Sequence, residues 1–129
     1  MGKSIVYELS KKFALRIVKL YAYLHDERKE HVISKQIYRC GTSIGANLAE
    51  GQFAQSDADY INKLSIALKE AAETTYWLEL LHESEMISTK QYESLQNDVK
   101  TITGTLVNIV NKMKIKGKNK VEQKHQSSE

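Results

Sequence analysis

An all-α fold, an antiparallel up-down-up-down four-helix bundle, is what this chain predicts, and three observations carry the prediction. The 129 residues contain no proline and six glycines, too few turn formers for a sandwich or barrel of many short strands. Apolar residues recur at spacings of three and four in four separate stretches, the period of a helix with one buried face. The polar segments between those stretches are short, as between neighbouring helices of a bundle. A single domain of this length buries roughly two-thirds of the surface its unfolded chain exposes.

The first helix is predicted from about Ser4 to His25, with Val6, Leu9, Phe13, Ile17, Leu20 and Leu24 as its apolar stripe. Lys11, Lys12, Arg16 and Lys19 fall on its other faces, and Asp26–His31 forms a charged connector. The second helix starts near Ser34, read as its N-cap, and stops at Gly51, read as its C′ residue. It shows three faces instead of one. Ile33, Ile37, Cys40, Ile44 and Leu48 form an apolar stripe; Gly41, Gly45 and Ala49, edged by Thr42, form a stripe of small residues; Arg39, Ser43, Asn47 and Glu50 form a polar one. Each glycine inside a helix costs about 1 kcal/mol against alanine, so close helix–helix packing is expected to recover it. That surplus buried face places the second helix at the centre of an assembly.

Ser56 is read as the N-cap of the third helix, with Asp57 and Asp59 in the first turn, where the helix dipole favours acids. Tyr60, Leu64, Ala67, Ala71, Thr74, Leu78 and Leu81 make its stripe, widened by Ile61, Leu68 and Thr75. The helix should reach about Ser84, a length of roughly 40 Å. The fourth opens on a capping box, Ser88 with Gln91, and a hydrophobic staple, Ile87 with Tyr92. Tyr92, Leu95, Val99, Ile102, Leu106, Ile109 and Met113 then alternate spacings of three and four, a seam for near-antiparallel packing. The bundle is assigned residues 1–114. Residues 115–129, polar and lysine-rich, are expected to be a disordered tail.

The net charge of +3 is unevenly spread. Residues 1–39 hold nine Lys/Arg against four acids, residues 40–111 four against ten, and residues 112–129 six against two. A basic first helix, an acidic third and a basic tail point first to complementarity within or between subunits and then to nucleic acid. No apolar run approaches the ~20 residues of a membrane span. The N-terminal residues lack a signal-peptide pattern, so a cytoplasmic location away from membranes is expected. A single cysteine, Cys40, excludes an internal disulfide and a multi-cysteine metal site.

Motifs for chemistry are few. Glu79-x-x-His82 matches one element of a di-iron bundle site, which needs a second such pair and two further glutamates; neither His25 nor His31 supplies it, so neither metal nor other cofactor is expected. Cys40 lacks a base and a cationic setting and reads as a small core residue. Phosphate-cradling glycine loops, nucleophile elbows and paired carboxylates are all missing from the sequence. The chain is therefore expected to be no enzyme and to take no small-molecule substrate. Arg39 and Glu50 lie about three turns apart, so each is expected to pair with another helix or subunit. Tyr60 and Tyr92 fit core stripes, which leaves Tyr7, Tyr21, Tyr23, Tyr38 and Tyr76 for base stacking or for ordinary packing.

The segment R-x-x-T-S-I-x-x-N-x-A-E-G, here Arg39, Thr42, Ser43, Ile44, Asn47, Ala49, Glu50 and Gly51, resembles the signature of a bacterial four-helix bundle family. Members of that family include proteins encoded in 23S ribosomal RNA intervening sequences. Tyr60, Leu64, Ser65, Ile66, Ala67 and Glu70 look like the family's third helix, and the resemblance spans about residues 5–114. It implies a homo-oligomer, commonly a barrel-like pentamer of four-helix bundles. A related branch is the accessory variability determinant of diversity-generating retroelements, a basic pentamer that binds its reverse transcriptase and nucleic acid. This chain departs from that branch in its acidic third helix and near-neutral body. The resulting expectation is a non-enzymatic oligomeric scaffold that binds RNA or an RNA-associated protein. Phosphate contacts would come from Lys112, Lys114, Lys116, Lys118 and Lys120, joined by Lys11, Lys12, Arg16 and Lys19. The alternatives are a protein–protein adaptor with no nucleic-acid role, offering its acidic third helix to a basic partner, and a metal or redox bundle using Glu79 and His82.

Overall fold

The computed structural model describes residues 4–127, with side chains described through residue 123. Residues 1–3 of the expected bundle and 128–129 of the expected tail lie outside the described residues. Four helices follow one another: α1 (Ile5–Asp26), α2 (Ile33–Gly51), α3 (Asp57–Glu83) and α4 (Thr89–Ser127). Among the described residues there is no strand. Each helix packs against its neighbours in sequence, and α4 closes the circuit on α1.

The apolar stripes meet in one core. Phe13 and Ile17 of α1, Ile37 and Ile44 of α2, Leu64 and Leu78 of α3, and Ile102 and Leu106 of α4 are all fully buried within it. Every stripe residue expected on α3 from Leu64 to Leu81 is buried, and Tyr60 packs against the core from its edge.

The helix ends have individual causes. Ser4 caps α1 by accepting from the Tyr7 N–H at 3.1 Å, and Ser56 caps α3 by accepting from Asp59 N–H at 3.1 Å. The capping box of α4 is formed in both directions: Ser88 N–H donates to Gln91 Oε1 at 2.8 Å and Gln91 N–H to Ser88 Oγ at 3.1 Å. After α3, Met86 N–H bonds back to Leu81 O and Glu85 N–H to His82 O, with Glu85 in the left-handed region at φ 63°. This is a Schellman closure made without glycine.

Three expectations are corrected. Ser34 is not the N-cap of α2; it lies buried inside the helix, and its hydroxyl donates to the Glu30 carbonyl at 2.9 Å. The cap is the Glu30 carboxylate, which accepts from the N–H groups of Val32, Ile33 and Ser34 at 3.0, 2.8 and 2.6 Å. Gly51 is not a left-handed C′ residue either: it is the last residue of α2, and the chain leaves through Gln52 in right-handed helical geometry. Finally, residues 115–127 are not an irregular tail. They continue α4 as helix to Ser127, so no break in the chain falls at position 114. The reason is local: Gly117 is the one poor helix former among lysines, glutamines, asparagine and valine, and no proline interrupts them. At about 58 Å, α4 outruns the roughly 40 Å of α3.

Candidate functional site

The motif on α2 is built into the bundle from both sides. Along its small-residue face, a Cβ added at Gly41 would stand 2.9 Å from Ile17 Cγ1 of α1, and one at Gly45 would stand 3.3 Å from Ser10 Oγ and 3.6 Å from the Ser10 backbone. Both glycines are thus used for close approach within one chain. The surplus face that the sequence assigns to an assembly is covered by α1. Gly51 differs: a Cβ added there would make ordinary van der Waals contact with the Tyr60 ring of α3 at 3.4 Å.

The polar face belongs to α3. Arg39 donates to Glu70 Oε2 at 3.3 Å and to Glu73, which also accepts from Trp77 Nε1 at 3.0 Å. The Trp77 bond and then Arg39 hold the Glu73 carboxyl below its ordinary range, and Glu73 in turn raises the Arg39 guanidinium. Further along, Lys63 Nζ meets Glu50 Oε2 at 2.9 Å, so Arg39 and Glu50 each pair with another helix, as expected. Thr42, Ser43 and Asn47 bond to carbonyls of their own helix: Thr42 Oγ1 to Tyr38 O at 2.7 Å, Ser43 Oγ to Arg39 O at 2.5 Å, and Asn47 Nδ2 to Ser43 O at 2.8 Å. Ala49 is half-buried on the small-residue face. The sequence pointed to Glu70 only through the resemblance. Glu73 and Trp77 carry no motif signal and emerge from the packing alone, whereas the buried Ser10 is in phase with the α1 stripe, four residues after Val6 and three before Phe13, and was hidden by being polar.

Cys40 is fully buried, and burial pushes its thiol up to about 11. Its Sγ lies 3.2 Å from the Thr74 hydroxyl. A thiol in that setting stays protonated at neutral pH and is a poor nucleophile. His82 stacks on Tyr92 with ring centroids 4.3 Å apart, and its Nε2 lies 3.0 Å from Thr89 Oγ1. Among the described residues, no three His, Cys, Asp or Glu side chains converge as a metal site. No described helix is long and apolar enough to cross a membrane.

The basic residues proposed from sequence separate into two groups. Lys11, Lys12 and Lys19 are exposed on α1. Arg16 is engaged elsewhere, donating to Asp98 Oδ2 at 2.6 Å and to Ser94 Oγ at 2.9 Å on α4. Lys112, Lys114, Lys116, Lys118 and Lys120 are all exposed on the last part of α4. Lys112 begins about 21 Å of helix rise beyond Asp98, and Lys120 Nζ reaches Asp57 Oδ2 at the start of α3 at 3.6 Å. Of the tyrosines left for stacking, Tyr7 and Tyr23 pack against the core and Tyr76 sits edge-on to Trp77. Tyr21 touches Tyr38 at 5.0 Å and His25 at 5.8 Å, and His25 touches His31 at 4.3 Å. This cross-helix ring cluster has no sequence signature.

The family model described as 23S rRNA-intervening sequence protein matches residues 2–108. Among solved structures, the chain is similar to a protein with unknown function from the S23 ribosomal protein family of Bacteroides thetaiotaomicron VPI-5482. The two share 57% sequence identity at a TM-score of 0.82, over 83% of this chain and 96% of that one. No curated protein matches the sequence.

Proposed function

The chain belongs to the 23S rRNA-intervening sequence protein family, and we propose that it acts as a non-enzymatic, cytoplasmic scaffold that assembles with copies of itself and binds RNA or an RNA-associated protein. The subunit is an antiparallel up-down-up-down bundle. That direction is supported by the pairing of Glu50 with Lys63 and of the earlier Arg39 with the later Glu70 and Glu73. Self-assembly, with a pentamer as the favoured closed ring, is supported by the outer face of α1. Leu15 and Val18 there are 58% and 44% exposed, on a side of the helix that a lone bundle would make polar.

The observation that carries the RNA reading is the exposure of the α4 lysines together. Exposed lysines contact phosphate without reading sequence, and each contact releases counterions, so binding weakens steeply with salt. The test is an RNA-binding titration at low and physiological salt, run on the full chain and on a chain ending at Asn111, with the mass of each measured by light scattering. Binding that needs residues beyond Asn111 and falls by about ten-fold or more between the two salts supports the RNA scaffold. Absence of RNA binding by an oligomer of unchanged mass makes the protein an adaptor for other proteins.

A further inference from the structure

We infer that the end of α4 is a preformed recognition arm for duplex DNA, entering the major groove as a helix. The inference goes beyond the RNA reading and rests on the shape of the arm. Because α4 stays helical through this stretch, the directions in which its side chains leave the backbone are fixed. Lys112, Ile115, Lys116, Asn119, Lys120 and Gln123 share a face spanning about 140° of the helix circumference. On that face Lys112, Lys116 and Lys120 form a row with about 6 Å of rise between successive members. Asn119 and Gln123 lie beside this row, and the face is exposed along its length. Lys114 and Lys118 are exposed on the back of the arm, so its positive charge extends around the helix. Lys120 also lies 3.6 Å from Asp57 Oδ2 at the start of α3, an exposed pair weak enough for a phosphate to displace.

Three kinds of nucleic acid can be set against this shape. Single strands are held by aromatic platforms on which bases stack, and the chain has no Phe, Tyr or Trp after Tyr92. Duplex RNA has a deep, narrow major groove that side chains cannot read. The major groove of B-form DNA, about 12 Å wide, admits an α-helix. Lysines on such a helix reach the phosphates that line the groove. Asn119 and Gln123, beside the lysine row, carry the amide donor and acceptor that pair with adenine in that groove. The arm therefore matches duplex DNA in width, in charge and in the amide chemistry beside its lysines.

Gly117 makes the test clean. A Cβ added there meets nothing within 4 Å, so Gly117→Ala keeps the helix and the charge. Gly117→Pro keeps the charge but breaks the helix in the middle of the arm. Fluorescence anisotropy would compare a B-form DNA duplex, the RNA duplex of the same sequence and the two single strands. The expected result is DNA duplex binding about ten-fold tighter than RNA duplex binding. Gly117→Ala should keep that preference. Gly117→Pro should lose it, with the melting temperature of the bundle unchanged. Equal affinity for the two duplexes, or a Gly117→Pro variant that binds DNA as the parent does, overturns the inference and leaves the lysines a shape-blind cationic surface. RNA binding without DNA binding overturns it while sparing the RNA scaffold. Helix-dependent DNA binding without RNA binding does the reverse.

Discussion

Toward α1, the second helix presents Gly41 and Gly45 and meets the Ile17 side chain and the Ser10 backbone; toward α3 it presents Arg39 and Glu50 and meets Glu70, Glu73 and Lys63. The first contact is decided by volume. A carbon added at Gly41 would overlap the Ile17 side chain, and one added at Gly45 would press on Ser10. The second is decided at its rim by charge, over a core contact between Cys40 and Thr74. Contacts of the first kind lose free energy abruptly when a side chain grows. Contacts of the second kind lose it gradually, because partly exposed ions keep water as an alternative partner. One helix thus carries a steric seam and an electrostatic seam on two of its faces, and the two should respond differently to substitution, salt and pH.

The largest effect is expected on the steric seam. Gly45→Leu would drive a branched side chain into the Ser10 backbone, at a cost of about 3 kcal/mol, and should lower the melting temperature by about 10 °C. Gly104→Ala on α4 is the counterpart: a Cβ there meets nothing within 4 Å. Removing that glycine should raise stability by up to about 1 kcal/mol through helix propensity alone. Thermal melts of the two variants check the pair. If Gly45→Leu melts with the parent, the α1–α2 contact is looser than its geometry, and the contrast between the two seams collapses.

This asymmetry also marks how far the sequence could be read. The apolar stripe of α3 and the capping box of α4 were legible because period and spacing act within one helix. The polar pairs of α2 were legible only in kind: three turns between Arg39 and Glu50 force each to find a partner off the helix, without naming it. What failed was competition between neighbours. Ser34 stands where an N-cap should, but the Glu30 carboxylate satisfies three N–H groups at once, and the N-cap position falls two residues earlier, at Val32. Gly51 looks like a left-handed helix stop, yet the chain leaves the helix there in right-handed geometry that needs no glycine. The small face of α2 was read correctly as a packing surface and wrongly as a surplus, because nothing in the sequence says that α1 is its cover. The polar composition after position 114 suggested disorder, whereas lysine and glutamine are good helix formers once a helix already precedes them.

A second, smaller effect tests the point where both seams begin. Glu30→Ala removes the cap of α2 and should cost about 1 to 2 kcal/mol at neutral pH. Burial pulls the Glu30 carboxyl upward, but the N–H groups of Ile33, Ser34 and Val32 outweigh it, so its folded pKa lies below the ordinary 4.5. A depressed carboxylate pKa contributes stability that is fully present above the unfolded value and is lost as pH falls through the folded one. The gap between parent and Glu30→Ala should therefore be constant from neutral pH down to the ordinary carboxylate range and shrink below it. Urea melts across that range check this; a gap that persists in acid assigns the loss to packing instead of to the cap.

The smallest effect separates the two seams most directly. Arg39 is about half exposed, so its attraction to Glu70 and Glu73 is screened by solvent and worth about 0.5 kcal/mol. Arg39→Met keeps most of the aliphatic stem and removes the charge. Glu73 would keep its bond from Trp77 Nε1, while Glu70 would exchange its Arg39 donor for water at the rim. The loss should be measurable at low salt and should vanish in high salt, where the screening length falls to about 3 Å at 1 M. Gly45→Leu should show no such dependence, because a steric overlap does not respond to ions. Parallel melts of the two variants at low and high salt read both seams in one experiment. A salt-independent loss in Arg39→Met would mean that the α2–α3 rim is held by the packing of the arginine stem, and the two faces of α2 would then differ in tightness but not in kind.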